Sequence, residues 1–367
     1  MSAHGRRRYV ALTDGYLADV HHAKTAHGVL RYGRDDVVAI IDAEFAGRRL
    51  RDVVPSIDRD VPIVASVRGA LAFSPTSILM GVAVSGGAIP PKFRTHILDA
   101  IDAGLEIVNG LHQFVTQDAE FVARAQASGA RLWDVRKTPD DIPLFSGDAY
   151  GVPQIVVLAV GSDCAVGKMS VMLEIVAAAT AAGARAEFVA TGQTGIMIAG
   201  KGICVDRVIS DFVSGAAEQL VLDVTPETEF TFVEGQGSII HPAFAAVTYG
   251  LMFGSAPDVL VFCHDVERKT IGDGEFDVAI PDLKILCQLY ESTLALLKPA
   301  PCVAVALNTR NLSAAQAQAH IQQVQAHTGL PTDDVVRFGG GKLWRAVRAA
   351  SQRTPKWHER RHAAARK

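Results

Sequence analysis

The chain has 367 residues, 49% hydrophobic and 20% charged, enough to bury two cores of ordinary domain size. A net charge of -3 provides no overall basic field for nucleic acid, and no apolar run approaches a membrane span. The five cysteines are odd in number, scattered and without a C-x-x-C pair, which excludes a disulfide frame or a zinc knuckle and points to a reducing cytoplasm.

Arg6-Arg7-Arg8 has no signal core behind it, because residues 9–12 run at once into Thr13-Asp14-Gly15. Residues 1–140 alternate short apolar runs with polar or helical segments, the pattern of a small α/β layer. Strands are expected at 9–12, 37–41, 63–65, 78–82, 106–108 and 131–134. Pro90-Pro91 opens an amphipathic helix over 92–103 that Gly104 ends, and a second helix is expected from about 118 to 127. Residues 137–147, rich in proline and polar side chains, read as the interdomain linker.

From residue 141 to 350 the strands become continuously apolar, as in a parallel sheet covered on both faces. They are expected at 155–160, 186–190, 230–234, 259–264, 302–307 and 335–338, with helices at 168–182, 211–222, 242–253, 282–297 and 314–328. The last helix follows Ser313-x-x-Gln316, a capping box. This βα order predicts a doubly wound sheet with ligands at the carboxyl ends of its strands. Residues 351–367 are polar, basic and without pattern, and read as a solvated tail.

The stretch Gly161-Ser-Asp-Cys-Ala-Val-Gly-Lys-Met-Ser170 lies between an apolar strand and a helix. Such a turn gathers backbone N–H groups and a helix N-terminus around one point, and Lys168 adds a full positive charge. Ser162 to Gly167-Lys168 has Walker A spacing, with Ser162 replacing the first glycine. We read Ser162, Asp163, Cys164, Ala165, Val166, Gly167, Lys168, Met169 and Ser170 as the phosphate cradle. Met169 stands where a Walker hydroxyl would hold Mg²⁺, and the hydroxyl arrives one residue late at Ser170. Phosphate binding is therefore expected, Mg²⁺-dependent phosphoryl transfer is not, and no metal is required.

Three further segments follow predicted strands and should reach the same rim: Thr191-Gly-Gln-Thr-Gly195, Glu234-Gly-Gln-Gly-Ser238 and Cys263-His-Asp265. Thr191, Gln193 and Thr194 offer neutral donors, Glu234 and Asp265 carboxylates, and His264 and His241 groups that titrate near neutrality. Each also has a structural reading: Glu234 as a loop cap, Asp265 as a Walker B or structural acid, the histidines as satisfied core groups. Cys164 could be a thiolate in the cradle or simply packed there. In the first domain, Lys24, Thr25, Gly28 and Arg31 could form an anion site, or a solvated helix-and-turn connection. Ser85-Gly-Gly-Ala-Ile-Pro-Pro-Lys-Phe-Arg94 could be a ligand loop, though a turn explains its glycines and prolines equally well.

Thr25-Ala-His-Gly-Val-Leu-Arg-Tyr, the cradle, Gln193-Thr-Gly-Ile196, Asp211-Phe-Val and Glu234-Gly-Gln-Gly-Ser together resemble the P-loop family, long a domain of unknown function, that includes D-glutamate N-acetyltransferases. The likeness spans roughly residues 9 to 345. It implies an α/β chain: an N-terminal Rossmann-like domain and a C-terminal doubly wound P-loop NTPase-like domain. It also implies acetyl transfer from acetyl-CoA to the amine of a D-amino acid. Coenzyme A phosphates suit a cradle with Lys168 but no Mg²⁺ hydroxyl. On this reading Glu234, Asp265 or His264 acts as base, Thr194 or loop N–H groups hold the oxyanion, and Lys24, Arg31 or Arg268, with Gln193, bind the substrate. The P-loop and the Glu-Gly-x-Gly segment also resemble dethiobiotin synthetase, so an ATP-dependent ligase or kinase is the alternative. A nucleotide sensor without chemistry is the third. The expected partner is a small amino acid, with no nucleic acid and no membrane, and a symmetric homo-oligomer is a modest expectation.

Overall fold

The computed structural model describes residues 6–356. It divides into two compact units, one holding the chain up to Thr138 together with Gln193–Cys204, the other Pro139–Gly192 and the chain from Val205.

The first unit is built on six parallel strands, β1 (Arg8–Leu12), β2 (Asp36–Ile41), β3 (Ile63–Val64), β4 (Ser77–Met80), β5 (Glu106–Asn109) and β6 (Leu132–Asp134), in the order 3-2-1-4-5-6. Leu12 of β1 lies opposite Ile41 of β2 and Met80 of β4. The helix Phe93–Asp102 buries Phe93, Ile97, Ala100 and Ile101, which at spacings of four, seven and eight form one face. That face closes over Val10, Leu12, Ile78 and Met80 of the sheet. Asp118 caps the helix Ala119–Ser128 by accepting from the N–H groups of Glu120 and Phe121, and Gly129 ends it at φ 76°.

The second unit has a parallel sheet in the order 12-11-10-7-9-8, made of β7 (Ile155–Gly161), β8 (Ala186–Val189), β9 (Phe230–Val233), β10 (Val259–Asp265), β11 (Cys302–Asn308) and β12 (Thr332–Asp333). Every residue of β7 and β10 is buried, which is why β7, and β10 as far as Cys263, are apolar runs with no alternation. Ser313 and Gln316 form the expected capping box at the start of Ala314–Thr328.

Three expectations need correction. Residues 335–338 form a helical turn, and the edge strand is Thr332–Asp333. The β-branched pair Val335-Val336 is overridden because the Asp334 carboxylate accepts from the N–H groups of Val336 and Arg337 and so starts a helix. Residues 193–204 group with the first unit although they follow a strand of the second. The helix Gln193–Ala199 buries Ile196, Met197 and Ile198, and a Cβ on Gly110 would meet the Met197 side chain at 2.8 Å and that of Gln193 at 3.0 Å. Apolar burial thus draws the segment onto the other core. Finally, the chain stays tied past Ser351: that serine is fully buried at the end of the helix Gly341–Ser351, and Lys356 pairs with Asp258 at 3.1 Å. Residues 357–367 of the expected tail lie outside the described residues. Among the described residues no helix is long and apolar enough to cross a membrane.

The stretch read as a linker is anchored at its end. The buried Glu218 carboxylate accepts from the N–H groups of Ser146, Gly147 and Ala149 and from the Ser146 hydroxyl, at 2.6–3.0 Å. Burial alone would raise its pKa, but these bonds outweigh burial and hold it below the ordinary glutamate value. A depressed carboxylate stabilises the fold fully above its unfolded pKa, and that contribution fades as the pH falls through the folded value. Glu218→Gln should therefore cost about 1.5–3 kcal/mol in urea unfolding at neutral pH, with the gap between variant and parent shrinking in acid.

Candidate functional site

The strand order of the second unit reverses at β7: β9 and β8 lie on one side, β10 to β12 on the other. Segments leaving β7, β9 and β10 therefore open on one crevice at the carboxyl ends of the strands. Register brings them close, with Cys263 of β10 opposite Gly161 and the Cys263 carbonyl accepting from the Ser162 N–H at 3.0 Å. A Cβ on Gly235 would sit 2.8 Å from the Lys168 Cδ and against the Ala159 carbonyl, so glycine is needed for the 234–238 loop to lie on the cradle.

The cradle turns through left-handed Ala165 (φ 55°) and Gly167 (φ 104°) into the helix Lys168–Ala181. Lys168 is buried, and its Nζ donates to the Asp163 carbonyl at 2.6 Å. Burial lowers its pKa, against the pull of nearby Cys164, Cys263, Asp163 and Glu234. The fully buried Asp163 carboxylate is the most heavily bonded group of the loop. Its Oδ2 accepts from the Arg268 guanidinium at 2.9 Å and from the Gly272 N–H at 2.8 Å, and its Oδ1 accepts from the Cys164 N–H at 2.7 Å. The Arg268 guanidinium, a candidate for a substrate carboxylate, ties the 268–272 segment to the phosphate loop through Nη1.

Glu234 Oε2 accepts from the N–H groups of Thr191 and Gly192 at 2.9 and 3.0 Å. Burial pushes its pKa up to about 7, with those two N–H bonds and Lys168 acting against burial. It therefore caps a loop and is also poised to exchange a proton near neutrality. Asp265 accepts from Asn308 Nδ2 at 2.7 Å and from the Glu267 N–H at 3.1 Å. His264 Nδ1 pairs with the Ser162 hydroxyl at 2.8 Å, and burial, with Lys269 and Arg268 adding to it, pushes its pKa down to about 4.

Asp163, Cys164 and His241 place ligand atoms within 4.8 Å of one another. His241 Nδ1 accepts from the Ala243 N–H at 3.1 Å, which leaves the ring proton on Nε2, 3.6 Å from Asp163 Oδ1. A cation bound through Nε2 would have to break that arrangement. Met169 offers no hydroxyl where a P-loop would hold Mg²⁺, and each Asp265 oxygen accepts one bond from the protein.

The remaining candidates lie in the first unit. Thr194 bonds Thr25 side chain to side chain at 3.1 Å, both buried. Gln193 packs beside Gly110, Lys24 is exposed at the start of the helix Lys24–Tyr32, and Arg31 donates to the Ser56 carbonyl at 2.7 Å. One group escaped the sequence reading. Tyr290, in the helix Leu283–Ala295, donates to the Gly161 carbonyl at 2.8 Å and accepts from the Ile239 N–H at 2.9 Å. A fully buried tyrosine needs a partner for its hydroxyl, and nothing in its own stretch of sequence marks it as buried.

The family models that match the chain are described as a domain of unknown function, DUF1611: a P-loop domain over residues 143–344 and a Rossmann-like domain over residues 43–138. A protein of Tritonibacter scottomollicae named D-glutamate N-acetyltransferase is 32% identical over 339 residues, covering 91% of this chain and 97% of the relative. One of the same name from a Pseudoalteromonas species is 36% identical over 275 residues, covering 75% and 82%. The crystal structure of a DUF1611 family protein from Anabaena variabilis superposes with a TM-score of 0.89 at 39% identity, covering 94% of this chain and all of that one. In sequence and in both of its domains, this chain belongs to the DUF1611 family.

Proposed function

We propose that this protein transfers the acetyl group of acetyl-CoA to the amine of a D-amino acid, D-glutamate first among them, and that its P-loop holds the phosphates of coenzyme A. The observation that carries the reading is Glu234, a buried carboxylate with a pKa near 7 beside a phosphate loop that lacks the Mg²⁺ hydroxyl. The names of the two relatives, at 32% and 36% identity, support the same reaction and the same acceptor.

Glu234 serves as the base. Two backbone N–H groups fix its Oε2, and its pKa matches the working pH, where a base is most effective. The acceptor's ammonium group first gives one proton to solvent, and Glu234 takes the second as the neutral amine nitrogen attacks the thioester carbonyl. The carbon–sulfur bond then breaks, and the proton passes to the departing thiolate to give free coenzyme A. His264, pushed down to about 4, is too weak a base near neutrality, and Asp265 is held by Asn308. Lys168 leaves the Asp163 carbonyl to bind a phosphate oxygen, and N–H groups of the glycine-rich loops, or Thr194, stabilise the oxyanion.

Lys168→Ala should weaken acetyl-CoA binding by about 1.5–3 kcal/mol, roughly 10- to 100-fold, by calorimetry; unchanged affinity would remove the P-loop from the site. Glu234→Gln should lower kcat by about 10²–10⁴ with acetyl-CoA affinity retained. In the parent, kcat/KM should rise with pH through about 7 as Glu234 ionises, and the variant should lack that limb. Mg-ATP turnover without thiol release from acetyl-CoA would favour the ligase or kinase reading instead.

A further inference from the structure

The first unit has its own switch point, where β1 and β4 are neighbours and the strand order reverses. The ends of these strands are pressed together: a Cβ on Gly81 would lie 3.0 Å from the Leu12 carbonyl and 3.1 Å from Thr13 Cγ2. A dinucleotide does not suit this crevice. Asp42, at the end of β2 where an acid would take a ribose hydroxyl, accepts instead from the N–H groups of Gly15 and Leu17 and from the Thr13 hydroxyl. The β1 connection also runs eleven residues to the helix at Lys24 with Gly15 as its only glycine, so no glycine-rich turn presents that helix to a pyrophosphate.

The crevice instead gathers three polar side chains of mixed charge. Lys92, just before the helix Phe93–Asp102, lies 4.7 Å from the centre of the Tyr16 ring, and its Nζ is 2.5 Å from where a Cβ on Gly15 would be. Lys92 is exposed, and among the described residues no carboxylate pairs with it. One turn later, His96 Nε2 faces Asp14 Oδ2 at 3.7 Å, with the two side chains only 14% and 15% exposed. Asp14 Oδ1 accepts from the Ala43 N–H at 2.9 Å, which fixes the carboxylate. With the ring proton on Nε2 toward Asp14, His96 Nδ1 is an acceptor, and it is buried with no hydrogen-bond partner.

A fixed carboxylate beside an unpaired ammonium complements a ligand that carries one positive and one negative group close together. We propose that this crevice binds a free α-amino acid as its zwitterion, Lys92 taking the carboxylate and Asp14, with His96 packed against it, the ammonium group. Binding of an amino acid here does not rest on the acetyl-transfer reading.

The experiment is a titration of the full-length protein with D-glutamate and L-glutamate, followed by calorimetry and by ¹⁵N NMR of the histidine side chains, without acetyl-CoA. Saturable binding that shifts the His96 Nδ1 resonance, weakened at least tenfold in Lys92→Met and in Asp14→Asn, is the expected result. Lys92 is exposed, so its variant folds, and unchanged acetyl-CoA affinity serves as the control. Glutamate binding of unchanged affinity in both variants, or no shift of His96 at saturation, would overturn the site. Absence of acetyl transfer despite the His96 shift would instead overturn the acetyl-transfer reading and leave this site standing.

Discussion

The Asp163 carboxylate, buried and bonded to Arg268, Gly272 and Cys164, is the constraint on which the rest of the second unit's site depends. A charge in that position is tolerated only because each oxygen has strong donors, and removing either member of such a pair leaves the other uncompensated. Its effect is geometric. Asp163 belongs to the phosphate loop, whereas Arg268 and Gly272 belong to the connection leaving β10, so one carboxylate makes two segments far apart in sequence move as one. Tyr290 does the same from beneath, joining the Gly161 carbonyl to the Ile239 N–H through a single hydroxyl.

Around that fixed loop, burial sets the acid–base character of the neighbours. Glu234 follows β9 and His264 is the penultimate residue of β10, both strands adjacent to β7, and both side chains lose water. Loss of water destabilises the charged form of each, so the carboxylate rises to about 7 while the imidazole falls to about 4. The same physical cause therefore makes one group suited to proton exchange near neutrality and leaves the other a neutral hydrogen-bond partner for Ser162. Cys263, pushed up to about 12 by burial, is likewise an inert core thiol.

The two units share one topological device with different chemistry. In each, a strand-order reversal at a parallel sheet's carboxyl edge opens a crevice, at β7 in the second unit and between β1 and β4 in the first. The first crevice lacks both the glycine-rich turn and a free acid for a nucleotide, because its own loop has consumed Asp42. What it offers is Lys92, Asp14 and the unsatisfied His96 nitrogen, a set of small reach and mixed charge.

Local signals in the chain were enough to determine its class. The apolar runs of β7 and of β10 up to Cys263, the capping box at Ser313 and the Gly-Lys turn into a helix each carry their reason within a few residues, so two α/β layers and a phosphate loop could be read directly. The raised pKa of Glu234, the bond of Arg268 to Asp163, the hydrogen bonds of Tyr290 and the grouping of residues 193–204 with the first unit were decided by tertiary structure alone. Each depends on what a side chain meets across 40 to more than 100 positions of sequence. Burial, which sets a pKa or ties a guanidinium to a carboxylate, belongs to the packed neighbourhood and leaves no mark on the residue's own stretch of chain.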